Sequence, residues 1–217
     1  MNKRLWFHSF SNLSNFSNIK SLRRLSLPDT MGIRSFIAIE CNDVNVVSSV
    51  SRVQRSLSSS KADIKFVEPE NIHLTLKFLG DVQEDMIDDV IKVIEAISFD
   101  PFTFMIEGVG VFPNMRRPQT IWAGITDGLT ELSHVFNLVE NGLSKLGFEK
   151  ERRRFNPHLT LGRVRSGRNR DQLVDSLKAV SDEEFGKVNV DKITLKKSVL
   201  TPKGPIYTTL TESSQHQ

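Results

Sequence analysis

From Ile33 onward, the spacing of apolar and polar positions switches repeatedly between two periods, marking a run of strands and helices. Arg34 to Glu40 reads as a strand. Val46, Val47, Val50, Val53 and Leu57 then recur at helical spacing, which predicts an amphipathic helix over Asp43 to Ser58. Ile64 to Val67 and Ile72 to Leu79 are further strands, divided by Glu68-Pro69-Glu70-Asn71 and closed by Gly80 and Asp81. Met86 to Ile97 returns to helical spacing. Phe102 to Val111 and Thr120 to Thr126 form a strand pair around the loop Phe112 to Gln119, which holds Pro113, Arg116, Arg117 and Pro118. A helix over Leu129 to Leu146 ends at Gly147. A strand at His158, a helix over Asp171 to Val180, and strands over Lys192 to Leu200 and Ile206 to Leu210 complete the set. Strand, helix, strands, helix thus occurs twice, and the adjacent strands indicate α+β with largely antiparallel sheets, not a doubly wound parallel sheet.

Two of these strands carry the same tetrapeptide. His-Leu-Thr-Leu occurs at His73 to Leu76 and again at His158 to Leu161. In a strand of period two, the histidine and threonine face one way and both leucines the other, so a protonatable face is backed by an apolar one. Each copy can occupy its own half of one domain, with two imidazoles and two hydroxyls meeting at a cleft.

Composition leaves this picture intact. The 217 residues are 38% hydrophobic and 25% charged, enough to bury a substantial core and ordinary for a soluble globular protein. A net charge of +3 permits a polyanionic partner without demanding one. Four of the five residues from Lys150 to Arg154 are basic, and Arg163, Arg165, Arg168 and Arg170 follow, so cations bracket the second motif. Such a run is either a phosphate-attracting surface or a solvated basic face. The single cysteine, Cys41, excludes an intramolecular disulfide and argues against a cysteine zinc site. A reducing compartment fits, and no apolar stretch is long enough to span a bilayer.

Residues 1–30 differ from the rest. They hold six Ser, four Asn and five Lys or Arg against one acidic residue, Asp29, with Phe7, Phe10 and Phe16 interspersed. This composition reads as a poorly ordered extension or a mitochondrial or plastid transit segment, and Met31 is an alternative start. Residues 31–217 then form a single domain, cytoplasmic unless the leader directs it elsewhere, and a monomer is expected.

A neutral imidazole takes a proton from water near pH 7, and an imidazolium gives one to a leaving oxygen. Threonine hydroxyls two residues on can donate to the non-bridging oxygens of a bound anion. Neither motif holds a carboxylate or an activated nucleophile. The set matches in-line displacement at phosphorus without a metal or other cofactor. Zinc hydrolases place a Glu beside helical histidines, serine hydrolases need Gly-x-Ser-x-Gly, and triphosphate hydrolysis needs Gly-x-x-x-x-Gly-Lys-Ser/Thr; none is present. Gly108-Val109-Gly110 lacks the third glycine of a dinucleotide fingerprint. His8, His134 and His216 have no such setting.

The paired His-x-Thr-x motifs resemble the 2H phosphoesterase superfamily. Arg34-Ser35-Phe36-Ile37-Ala38-Ile39, Glu70 to Gly80, Gly108 to Pro113, Ile121-Trp122-Ala123-Gly124 and Asn156 to Arg163 are similar to the RNA 2',3'-cyclic phosphodiesterase branch, formerly called 2'-5' RNA ligases. The resemblance runs from about Ile33 to Leu210. It implies a bilobal, pseudo-twofold fold with helices outside a central cleft. It also implies hydrolysis of RNA 2',3'-cyclic phosphate ends to a 2'-phosphomonoester, with weak reverse 2'-5' joining. Carried over, His73 is the proton donor, His158 the acceptor, and Thr75 and Thr160 the phosphate contacts, with no metal required.

Four further residues are candidate substrate contacts. Phe36 is either a base or ribose stack or a core residue, and Phe112 either an anchor or a substrate contact. Arg154 and Arg163 flank the second motif as phosphate ligands, although simple alternation turns Arg163 away from His158. Related activities on small cyclic or 2'-5' linked nucleotides, and a non-catalytic RNA-binding module, remain the alternatives.

Overall fold

The computed structural model describes residues 32–202 and 204–213; the expectations for residues 1–30 and for Met31 lie outside them. The described chain runs β1 (Ile33–Glu40), α1 (Val44–Ser58), β2 (Ile64–Phe66), β3 (His73–Val82), α2 (Ile87–Glu95), β4 (Phe102–Phe112), β5 (Thr120–Asp127), α3 (Leu129–Ser144), β6 (Leu159–Val164), α4 (Arg170–Ala179), β7 (Glu184–Val190), β8 (Thr194–Thr201) and β9 (Gly204–Glu212). Most of these elements match the sequence pattern. Asp43 is the cap of α1, its carboxylate accepting from the backbone N–H groups of Asn45 and Val46. β7 is absent from the sequence reading: Phe185, Val188 and Val190 point inward, but Gly186 at φ +118 breaks the alternation after its first apolar residue.

Nine strands form one antiparallel sheet in the order β7-β4-β5-β6-β3-β1-β8-β9, with β2 added on β6. The two lobes are halves of this sheet, β7-β4-β5-β6 and β3-β1-β8-β9. They join where Leu74 pairs with Leu159, the single register pair between β3 and β6. The helices are exchanged between halves. α1 leaves β1 yet packs on β7 and β6 beside α4, while α3 leaves β5 yet packs on β3 beside α2, which also covers β8 and β9.

The four helices among the described residues cover one face. Leu74, Leu159 and Leu161 are fully buried and Leu76 nearly so, in one core with Val46, Val50, Val53 and Leu57 of α1 and Leu132, Val135, Val139 and Leu143 of α3. Each buried leucine contributes about 1.5–3 kcal/mol. A one-residue slip of either motif strand would bury His and Thr in their place, so the core fixes the register.

A buried ion pair ties the halves together. Lys77 of β3 donates to Glu140 of α3 at 2.5 Å, and both side chains are buried. Lys77 also donates to the Glu149 carbonyl at 2.8 Å, and Glu140 accepts from the Glu151 backbone N–H at 2.8 Å. The start of the segment leading to His158 is thereby fastened to the strand carrying His73. Lys77→Met leaves Glu140 buried without its cation and should lower unfolding free energy by about 3–5 kcal/mol. The double change Lys77→Met with Glu140→Leu should recover a large part of that in urea melts.

Candidate active site

Each candidate histidine is held by a carbonyl of its own chain. Nδ1 of His73 lies 2.8 Å from the Asn71 carbonyl, and Nδ1 of His158 lies 2.8 Å from the Asn156 carbonyl. A carbonyl can only accept, so each Nδ1 carries the proton and each Nε2 is left for chemistry. Local folding sets this up twice, through the 3₁₀ turn Pro69–Asn71 before β3 and the Asn156-Pro157 pair before β6.

The sheet brings the two motifs face to face. With Leu74 opposite Leu159 in antiparallel register, His73 falls opposite Thr160 and Thr75 opposite His158. The two imidazoles occupy one diagonal of a square and the two hydroxyls the other, with diagonal neighbours about 7–8 Å apart. All four side chains are on the face away from the leucine core.

A cavity of about 730 Å³ opens on this face. His73, Thr75 and Thr160 line it with Phe36, Phe78, Arg34, Lys65, Arg163 and Tyr207. His158 is outside this lining, its ring edge-on to Phe112 at 5.1 Å and to Trp122 at 6.4 Å. His73 has a corresponding aromatic collar, Phe36 at 4.9 Å and Tyr207 at 5.4 Å.

The surroundings of His73 act on its charge. Burial holds its pKa below the ordinary imidazole value; the Asn71 carbonyl and Glu40 oppose this, and Lys196 reinforces it. Lys196 and Glu40 are themselves ion-paired. Burial raises Tyr207, against the pull of Arg163 and Arg34. Cys41 is fully buried and pushed up to about 12, which removes it as a nucleophile.

One sequence expectation changes. Arg163 lies on the cleft face with Thr160 because β6 carries a bulge: Trp122 pairs with Thr160 and Ile121 with Gly162, so Leu161 and Gly162 both point inward before alternation resumes. β3 bulges at the corresponding place. Ala38 pairs with Thr75 and Ile37 with Lys77, leaving Leu76 and Lys77 both buried and returning Phe78 to the cleft, 70% exposed. Phe36 is buried, 3% exposed, and also lines the cavity against His73.

Phe112 packs on Trp122 at 5.1 Å and supports His158. Arg154 is exposed in the segment before β6 and is not among the lining residues. Tyr207, Phe78, Lys65 and Arg34 were not candidates in the sequence. The doubled inward positions Leu76-Lys77 and Leu161-Gly162 gave no signal of a bulge, because a lysine or glycine there reads as surface. Among the described residues, no group of three or more His, Cys, Asp or Glu side chains could hold a metal ion.

Comparison with known proteins finds relatives of this chain and of its fold. The family model for LigT-like phosphoesterases matches residues 43–122 and 125–207. An RNA 2',3'-cyclic phosphodiesterase of Methanothermobacter thermautotrophicus is 41% identical over 180 residues, covering 82% of this chain and 96% of that protein. One of the same name from Aeropyrum pernix is 38% identical over 167 residues, covering 77% and 95%. In fold, the crystal structure of a Thermus thermophilus protein superposes with a TM-score of 0.69 at 26% identity, over 83% of this chain and 96% of that one. E. coli LigT in its apo form gives 0.67 at 23% identity, over 85% and 99%.

The wall behind His158 is testable. A Cβ added at Gly110 would fall 2.2 Å from the Trp122 ring, so the indole lies directly on that glycine. Gly110→Ala should displace Trp122, change its fluorescence, and destabilise the fold by about 1–3 kcal/mol as overpacking does. An unchanged emission spectrum and melting temperature would show that the ring is not held there.

Proposed function

The chain belongs to the LigT-like phosphoesterase family, and on that premise we propose that it hydrolyses the 2',3'-cyclic phosphate at an RNA end to a 2'-phosphomonoester by metal-independent proton transfer between His73 and His158. Its relatives in Methanothermobacter and Aeropyrum are named for this substrate. The observation that carries the catalytic reading is the matched pair of imidazoles, each with Nδ1 on a carbonyl and Nε2 free, on strands joined at one bridge.

In this reading the cyclic phosphate sits over the Leu74–Leu159 bridge. Thr75 and Thr160 donate to its two non-bridging oxygens and stabilise charge as it grows. Nε2 of His158 takes a proton from water as the water oxygen bonds to phosphorus. The bond from phosphorus to the 3' oxygen breaks on the opposite side, and Nε2 of His73 supplies the proton that makes the 3' hydroxyl. The phosphate stays on the 2' oxygen. With an RNA 5' hydroxyl in place of water, the same pair would form a 2'-5' linkage, a slow reaction because water competes for the same position. Arg163 and Arg34, which line the cleft, add positive charge toward the anion, and Phe36 and Tyr207 give the nucleoside an apolar wall.

A short RNA ending in a 2',3'-cyclic phosphate should be converted to its 2'-phosphate in EDTA at the same rate as in buffer without chelator. His73→Ala and His158→Ala should each lose at least about 10²-fold in kcat, the usual weight of general acid or base catalysis. Activity surviving in both variants, a 3'-phosphate product, or loss restored by a divalent ion would each defeat this mechanism.

The charge environment of His73 yields a separate test. A proton donor works only while protonated, and burial and Lys196 lower the pKa of His73, so its proton is lost at lower pH than from a free imidazole. The limb of the kcat/KM profile that belongs to His73, which reports the free enzyme, should therefore lie below the ordinary value of 6.5. The limb of kcat should lie higher, because the bound phosphate anion favours imidazolium. Lys196→Met should move the kcat/KM limb upward. A profile in which neither limb moves on that substitution would remove His73 as the donor.

A further inference from the structure

At one end of the sheet, three segments distant in sequence meet. The backbone N–H of Val164 donates to the Gln119 carbonyl at 2.9 Å, and that of Arg165 to the Asp63 carbonyl at 2.8 Å. The Asn169 side chain donates to the Lys61 carbonyl at 2.9 Å, and Arg170 donates to the Arg116 carbonyl at 3.4 Å. The turn at Lys61, the loop carrying Arg116 and Arg117, and the turn carrying Arg165 and Arg168 are thus assembled into one surface.

That surface is rich in cations, and the carboxylates bordering Arg116, Asp171 and Asp175, are paired with Arg170 and Lys178. Lys61, Arg116, Arg117, Arg165 and Arg168 are all exposed, and among the described residues none of them makes an ion pair. Arg170 is paired with Asp171. The surface is also continuous with the cleft. Arg163 and Lys65, cross-strand partners on β6 and β2, both line the cavity, and Arg165 lies two residues beyond Arg163. At about 3.3 Å per residue, those two arginines are roughly 7 Å apart along the chain.

We infer that this end of the sheet is a binding track for the RNA strand upstream of the reacting terminus. The terminal nucleotide enters the cleft, and preceding phosphates leave it past Arg163 and lie along Arg165, Arg168, Arg116 and Lys61. The inference rests on the proposed reaction for its direction. The physical reason is counterion release: a phosphodiester chain carries condensed cations, and each Arg or Lys that neutralises a phosphate sets some of them free. A mononucleotide cannot reach the track, so its cations distinguish oligomeric from monomeric substrate.

The test compares wild type with the triple variant Arg116→Ala, Arg165→Ala, Arg168→Ala on two substrates, a ten-nucleotide RNA with a 2',3'-cyclic phosphate and a 2',3'-cyclic mononucleotide. Anisotropy of a labelled ten-nucleotide RNA ending in a 3' hydroxyl reads binding independently of turnover. Each phosphate contact on a single strand contributes about 0.7 to the slope of log affinity against log salt, so three lost contacts should reduce the slope by about 2. Near 0.1 M salt, affinity for the ten-nucleotide RNA should fall roughly 10²-fold.

Turnover of the cyclic mononucleotide should be unchanged, which also confirms that the variant is folded. Equal loss on both substrates, or an unaltered salt slope, would overturn the track. If the wild type hydrolyses neither substrate, the proposed reaction fails while the anisotropy arm still decides the track: a fall in RNA affinity and slope supports it, and no fall overturns it.

Discussion

The antiparallel bridge between Leu74 and Leu159 is the constraint on which the rest of the site depends. It is the single register pair between the two halves of a nine-stranded sheet, and both leucines are fully buried. Moving either strand by one residue would put imidazole and hydroxyl into a hydrocarbon core and leucine into the cleft, so burial energy and site geometry are the same quantity viewed from two faces. The helix exchange strengthens this. α1 and α3 each leave one half and cover the other, so neither half can complete its core alone.

Given that register, very little else is needed to aim the imidazoles. A carbonyl two residues upstream of each histidine fixes the ring tautomer, and an aromatic collar restricts the ring plane. The two rings are nonetheless unlike. His73 is held among Phe36 and Tyr207 with the Lys196–Glu40 pair nearby, and burial biases it toward neutrality. His158 is set against Phe112 and Trp122 beside the lined cavity. Repeated backbone with different walls is how one motif, written twice, acquires two electrostatic settings.

The repeated tetrapeptide made the candidate site legible because alternation is a strong code when both faces are occupied, one by leucine and one by His and Thr. The helices were legible for a similar reason, as the apolar stripe Val46, Val50, Val53 and Leu57 shows. What the alternation could not convey was its own interruption. A bulge is a backbone event, and Lys77, buried against Glu140, and Gly162, buried beside Phe66 of β2, look like surface residues in the linear text. Arg163 was therefore turned the wrong way and Phe78 overlooked. Tyr207 was missed because its strand is distant in sequence and reaches the cleft only through β8 pairing with β1.

The two bulges also explain why a pseudo-symmetric scaffold has a directional cleft. After the shared His-Leu-Thr-Leu, the inserted residue returns the same structural position to the cleft in both halves, and that position is Phe78 in one and Arg163 in the other. An aromatic face and a guanidinium have opposite preferences, one for a base or ribose and the other for phosphate. Around them the division continues, with Phe36 and Tyr207 near His73, and Lys65 cross-strand from Arg163. The symmetry of the fold supplies two imidazoles with the same backbone setting, and the bulged position of each half makes the two sides of the cleft chemically different.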